Sequence, residues 1–138
     1  ARPHRNPGLA LSSWHPGQTR QTKARAFAEK LFLRSLDRAV EVDELIGQHT
    51  ANWEIGRIAL VDRILLRMAI VEMLTFEDIP PKVSINEVID IAKRYSTPKS
   101  GTFINGILDA VLLQLLREGR IRKTGRGLVG MPRLNTDA

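Results

Sequence analysis

IPPKVSINEVIDIAKRYS, residues 79–96, holds two consecutive prolines, a serine three positions ahead of a glutamate, and then apolar residues at helical spacing. Pro80 and Pro81 cannot continue a helix and push the residues before them into extended geometry. Ser84 and Glu87 have the spacing of a capping box, in which the serine oxygen accepts from an amide one turn on and the glutamate reaches back to the cap amide. Ile85, Val88, Ile89 and Ala92 then fall on one face. A helix of only about ten residues is held by packing rather than by its own propensity. The stretch predicts a sharp corner, with a short amphipathic helix starting at Ser84.

Upstream of the corner, residues 57–76 read RIALVDRILLRMAIVEMLTF, apolar around most of the circumference and interrupted chiefly by Asp62, Arg63, Arg67 and Glu72. A helix apolar nearly all round is covered by neighbours on several sides, so this segment is expected to be a central rod. Farther upstream, Ala24, Phe27, Ala28, Leu31, Phe32, Leu36, Ala39 and Val40 recur at three- and four-residue steps. They predict a helix from Ala24 to about Ile46 that buries this stripe and ends at Gly47. The intervening HTANWEIG reads as a connection, with Trp53 as a lid over the bundle.

Downstream, STPKSGTF breaks the chain, and a last helix is expected from Thr102 to Arg117 with Ile104, Ile107, Leu108, Val111, Leu112 and Leu115 inside. Gly106 within it implies a close backbone approach, since glycine there costs about 1 kcal/mol against alanine. Gly119 fits a C-cap. The organisation expected is an irregular basic arm (1–22), an all-α helical bundle (23–118) and a basic flexible tail (119–138).

Composition narrows the function classes. The chain has 138 residues, 43% hydrophobic but only 5% aromatic, so one domain with a mainly aliphatic core is expected. It has no cysteine, which excludes a disulfide scaffold, a cysteine–zinc site and a thiol nucleophile, and is in keeping with a cytoplasmic setting. No apolar run approaches the roughly 18 residues that span a bilayer, and no membrane role is expected. The net charge of +6 is polarised: residues 1–25 carry five basic and no acidic side chains, and residues 117–138 carry six basic and two acidic. Residues 26–116 carry ten basic and thirteen acidic. Basic ends suit a polyanion such as nucleic acid, or simply keep a small protein soluble.

Catalytic constellations are not evident. His4, His15 and His49 have no metal-ligand spacing, and no metal or cofactor is expected. GRGLVG (125–130) lacks the preceding strand and following helix of a phosphate loop. Asp62 and Glu72 lie ten residues apart on nearly one face of the central helix without a companion base or nucleophile. The best candidate for binding is the start of the last helix. Unpaired amides there favour phosphate, and Lys99, Ser100 and Thr102 converge on it beside Phe103, a ring able to stack on a base. From these residues alone, Ser100 reads more readily as a simple N-cap and Phe103 as a core ring on the first turn.

These residues together resemble the NusB family of bacterial transcription antitermination factors. The resemblance rests on Leu66, Arg67, Ala69 and Glu72 of the central helix, and on the corner segment Pro80 or Pro81, Lys82, Val83, Ile85, Asn86, Glu87. Ala92–Lys93 and the FINGILD signature, Phe103 to Asp109, complete it. It spans about Phe27 to Leu116. It implies an all-helical fold of two perpendicular bundles and no enzymatic activity. It further implies binding of boxA-type RNA together with the ribosomal protein NusE, within the RNA polymerase antitermination complex, chiefly in ribosomal-RNA operons. Lys99, Ser100, Thr102 and Phe103 then correspond to the RNA-facing surface, and Asp62, Arg63 and Glu72 to the protein-partner face.

Residues 1–22 depart from the family. They hold three prolines where an arginine-rich first helix, R-R-x-A-R-x-x-A-x-Q, is expected, so the first helix matched here corresponds to the family's third. A bundle lacking the first two helices leaves apolar surface uncovered. Two further readings remain: a detached NusB-like domain of a ribosomal-RNA cytosine methyltransferase, and a homodimeric helical interaction module.

Overall fold

The computed structural model describes residues 16–50 and 58–133, and side chains from residue 22 onward. Five α-helices follow in order: α1 (Pro16–Asp37), α2 (Ala39–Gln48), α3 (Leu60–Thr75), α4 (Pro81–Tyr95) and α5 (Ser100–Arg117). A 3₁₀ turn, Gly125–Leu128, closes the described chain, and no strand occurs among the described residues. The all-α reading holds. Trp14, Trp53, His4 and His15 lie outside the described residues.

Helix α3 is the rod. It packs against all four other helices, and Leu65, Leu66, Ala69, Ile70, Val71 and Met73 are buried along it. Around it close Val42, Leu45 and Ile46 of α2, Ile85, Val88 and Ala92 of α4, and Ile104, Leu108, Val111 and Leu115 of α5. Each buried valine, leucine, isoleucine or methionine among them contributes about 1.5–3 kcal/mol on leaving water. An aliphatic core serves because packing here is between helices, whose ridges and grooves branched side chains fill. Only the first turn of the rod is bare, at Leu60, Val61 and Ile64.

The corner forms, but differently from its sequence reading. Pro80 is extended (φ −60°, ψ 138°) and Pro81 opens α4 as its first helical residue, where its missing N–H costs nothing. The helix is therefore fifteen residues long. Ser84 is one turn inside it, with its amide on the Pro80 carbonyl at 3.3 Å, and is no cap. Its hydroxyl instead donates to Glu72 Oε1 at 2.8 Å.

The single helix expected from Ala24 to Ile46 is two. α1 begins at Pro16, inside the stretch read as irregular, because proline in a first turn starts a helix as readily as it breaks one. It ends at Asp37, and Arg38 adopts φ −106°, ψ 9° before α2 resumes. Ser35 Oγ donates back to the Leu31 carbonyl at 2.7 Å just before the bend, a contact that bends helices. The bend turns Val42, Leu45 and Ile46 into the core. It leaves much of the predicted stripe outside: Phe27 is half-buried and Leu31 buried, whereas Phe32 is 63% exposed, Leu36 60% and Val40 75%. Phe32 and Leu36 line an open apolar groove of about 310 Å³ between α1 and α3. Arg67 spans from α3 to Asp43 of α2 in a two-pronged ion pair at 2.6 and 2.5 Å, which fixes that crossing.

Gly119, at φ 65°, ends α5 as expected. Its amide bonds to Leu116 and that of Arg120 to Leu115, the paired pattern of a Schellman motif. Gly106 is exposed with nothing within 4 Å of a would-be Cβ, so the expected close approach is absent there. The close approach is at Gly127, in the segment read as a loose tail. Residues 120–133 fold back as a strap over the α3–α4 connection. Thr124 N–H donates to the Glu77 carbonyl at 2.9 Å, and Lys123 Nζ donates to the Phe76 carbonyl at 2.6 Å. Lys123 is only 9% exposed, and losing that much water pushes its pKa down, partly offset by Glu72, Asp78 and Glu77.

Candidate nucleic-acid interface

The α4–α5 joint is built from residues that stop one helix and start the next. Ser96 is extended (φ −129°, ψ −167°) and ends α4, Pro98 prevents its continuation, and Lys99 precedes α5 without any side-chain cap on the helix. An uncapped helix start leaves amides and a partial positive charge at the surface. Lys99 and Thr102 are exposed there, and Phe103 is half-buried, one side against the core. Lys99 and Phe103 share a pocket of about 310 Å³ with Asp62, Thr97 and Ser100.

Of the four residues singled out for RNA, the structure thus brings Lys99 and Phe103 to one pocket and places Thr102 beside it. Ser100 is different. It is buried, and its hydroxyl donates to Asp62 Oδ2 at 2.9 Å while lying 2.8 Å from Ser96 Oγ and 2.9 Å from Thr97 Oγ1. The Asp62 carboxylate therefore underlies the first turn of α5, a placement that stabilises a helix start and offsets its attraction for other anions. Lys99 supplies the positive charge that remains.

The three residues singled out for a protein partner do not share an exposed face. Asp62 is 5% exposed and turned toward α5. Glu72 is 6% exposed and turned toward α4, where Ser84 donates to it. Burial raises the Glu72 pKa, the Ser84 hydrogen bond opposes this, the nearby charge of Glu87 adds to it, and Lys123 opposes it. Arg63 alone reaches the surface, half-buried, with its Nε lacking a hydrogen-bond partner.

Sequence reasoning missed the side chains that pin the basic end. Arg120 pairs with Glu118 at 3.0 Å and with Glu41, and those contacts raise its already high pKa. His49 is bonded to Gln114 of α5. No local pattern announces the contacts of Arg120 with Glu41 or of His49 with Gln114, 79 and 65 positions apart. Among the described residues no three metal-ligating side chains gather, and none of the helices is long and apolar enough to cross a membrane.

An aliphatic rod sheathed by four helices makes this an all-α helical-bundle protein. The NusB family model matches residues 11–113, and the chain belongs to that family. The transcription antitermination protein NusB of Salinibacter ruber is 62% identical over 107 residues, which cover 78% of this chain and 67% of that protein. The protein of that name from Chloroherpeton thalassium is 49% identical over 110 residues, 80% of this chain and 52% of its own. The chain thus spans between half and two thirds of these curated relatives. Among solved structures, T. maritima NusB superposes with a TM-score of 0.63 at 42% identity, covering 64% of this chain and 63% of that one. A chain from the crystal structure of a plectonemic RNA supercoil superposes with a TM-score of 0.65 at 25% identity, covering 79% and 86%.

Proposed function

We propose that this chain is an RNA- and protein-binding antitermination factor of the cytoplasm, without catalytic activity of its own. It engages boxA-type RNA together with the ribosomal protein NusE, in the RNA polymerase antitermination complex that reads ribosomal-RNA operons. The observation that carries the reading is the joint before α5. An exposed cation, Lys99, and a partly open aromatic ring, Phe103, border one pocket at an uncapped helix start. A lysine neutralises a phosphate at such a place while the ring meets the face of an unpaired base. Family membership and relatives that are transcription antitermination proteins support the same reading. With Asp62 and Glu72 engaged inside, Arg63 is the one of these three that α3 can offer a protein partner.

The test is titration of the chain, with and without NusE, against boxA-type RNA and a scrambled RNA across a salt series. The reading expects a preference for the former and a loss of affinity with salt. Lys99→Ala weakens binding and lowers the slope of log K against log salt by about one, the share of a single phosphate contact. Equal affinity for the two RNAs refutes the proposal.

A further inference from the structure

Asp62 stands in the first turn of α3, a mainly apolar helix, and both of its carboxylate oxygens are taken within the chain. Oδ1 accepts from Ser96 Oγ at 2.7 Å and Oδ2 from Ser100 Oγ at 2.9 Å. Ser96 ends α4 and Ser100 begins α5. One carboxylate on α3 therefore ties down both sides of the Thr97–Lys99 connection. The two serine hydroxyls also lie 2.8 Å apart, and Thr97 Oγ1 is 2.9 Å from Ser100 Oγ. Between the tied ends, Thr97, Pro98 and Lys99 are exposed.

The arrangement is hard to distort. A carboxylate this far from water is tolerable only while its hydrogen bonds are made, so a joint that swung outward would strand it. A short connection anchored at both ends has little freedom left, and the ordering it needs for binding is already complete in the free protein. The anchored segment carries Lys99, directly before Ser100, and Phe103 lies just beyond it, one turn into the helix that Ser100 begins.

We infer that Asp62 is a positioning residue for the RNA face, acting through Ser96 and Ser100 to hold Lys99 and Phe103 on one pocket. It does not act by touching a protein partner. The inference rests on the RNA-binding reading above and assigns it an internal determinant that the sequence placed on a different surface.

The experiment is a double-mutant cycle on the full chain, read by affinity for boxA-type and scrambled RNA. The variants are Asp62→Asn, the pair Ser96→Ala with Ser100→Ala, Lys99→Ala, and each of the first two combined with Lys99→Ala. The serine pair leaves α3 untouched and serves if the aspartate variant does not fold. Asp62→Asn or the serine pair is expected to weaken boxA-type binding roughly tenfold, the lower end of what removing an orienting partner costs at metal sites. Added to Lys99→Ala, either is expected to cost less than it does in the wild type, because the share exerted through Lys99 is already lost and only the share through Phe103 remains. NusE binding without RNA stays at the wild-type level.

A folded Asp62→Asn or serine-pair variant with wild-type RNA affinity overturns the inference, as does strict additivity with Lys99→Ala. Loss of NusE binding with RNA affinity intact overturns it in favour of a partner contact. A wild-type chain that does not distinguish the two RNAs fails at an earlier step and removes the functional reading together with the inference.

Discussion

Replacing Gly127 by alanine places a Cβ 2.0 Å from the Glu77 carbonyl oxygen, 3.0 Å from its carbonyl carbon and 3.2 Å from the Cβ of Lys123. Backbone atoms cannot step aside as a side-chain tip can, so the strap must lift. Lifting breaks the Thr124 N–H bond to Glu77, a neutral bond contributing about 1 kcal/mol, and the Lys123 ammonium bond to Phe76, a charged one contributing about 1.5–3 kcal/mol. Lys123 regains water and the strap regains freedom, which returns part of that sum. The net loss expected is about 2–3 kcal/mol, or roughly 1–1.5 M in the urea midpoint for a slope near 2 kcal/mol/M. Equilibrium unfolding measures the first effect, and hydrogen exchange at the Thr124 amide, protected only while the strap is down, measures the second. Gly119→Ala is the control: its strain comes from φ 65° with open space around it, costing about 1–2 kcal/mol without exposing Thr124. An unchanged midpoint for Gly127→Ala with the Thr124 amide still protected would refute the strap.

Three other outcomes follow from burial and charge. Phe32→Ser and Leu36→Ser change stability by less than about 0.5 kcal/mol, as exposed positions do, whereas Leu66→Ala costs about 2–5 kcal/mol; a large loss from either serine variant in thermal melts would mean that their groove is covered. Gly106→Ala raises stability by about 0.5–1 kcal/mol, since it removes a flexible residue from an uncrowded helix interior, and an unchanged or lower melting temperature contradicts this. Because the folded-state pKa of Glu72 lies above its unfolded value, the folded chain keeps a proton that the unfolded chain has released in the window between them, and stability rises as pH falls through it. In Glu72→Gln, the side-chain oxygen still accepts from Ser84 and this rise shrinks; identical stability–pH curves for the two proteins, followed by urea unfolding, would show that Glu72 is not strained by burial.

The bundle, its central rod and the proline corner were legible because each is written locally. A helix apolar on every side has to be enclosed, a proline pair has to interrupt, and a glycine after a helical stripe ends it, whatever lies farther along the chain. The capping box misled because Ser84 and Glu87 have the right spacing, but Pro81 starts the helix first and a buried carboxylate from α3 competes for the serine. The stripe on α1 misled for a related reason. Periodicity identifies an apolar face, yet only a neighbouring element buries it, and among the described residues nothing lies over Phe32, Leu36 and Val40.

For the candidate interface, Lys99, Thr102 and Phe103 could be found from sequence, since a helix start is a local event and its flanking residues are contiguous. That Ser100 turns inward depends on Asp62, 38 positions earlier, as does the strap on a carbonyl at Glu77 and an ammonium at Lys123. Sequence alone therefore determined the helical class, the central rod, the corner at Pro80–Pro81 and the family it resembles, because propensity, periodicity and proline act over a few residues; the break at Arg38 was not among them. Tertiary structure alone decided which polar groups face outward. A charge leaves water only where a distant partner meets it, and where that partner stands is set by the packing of helices rather than by the order of residues.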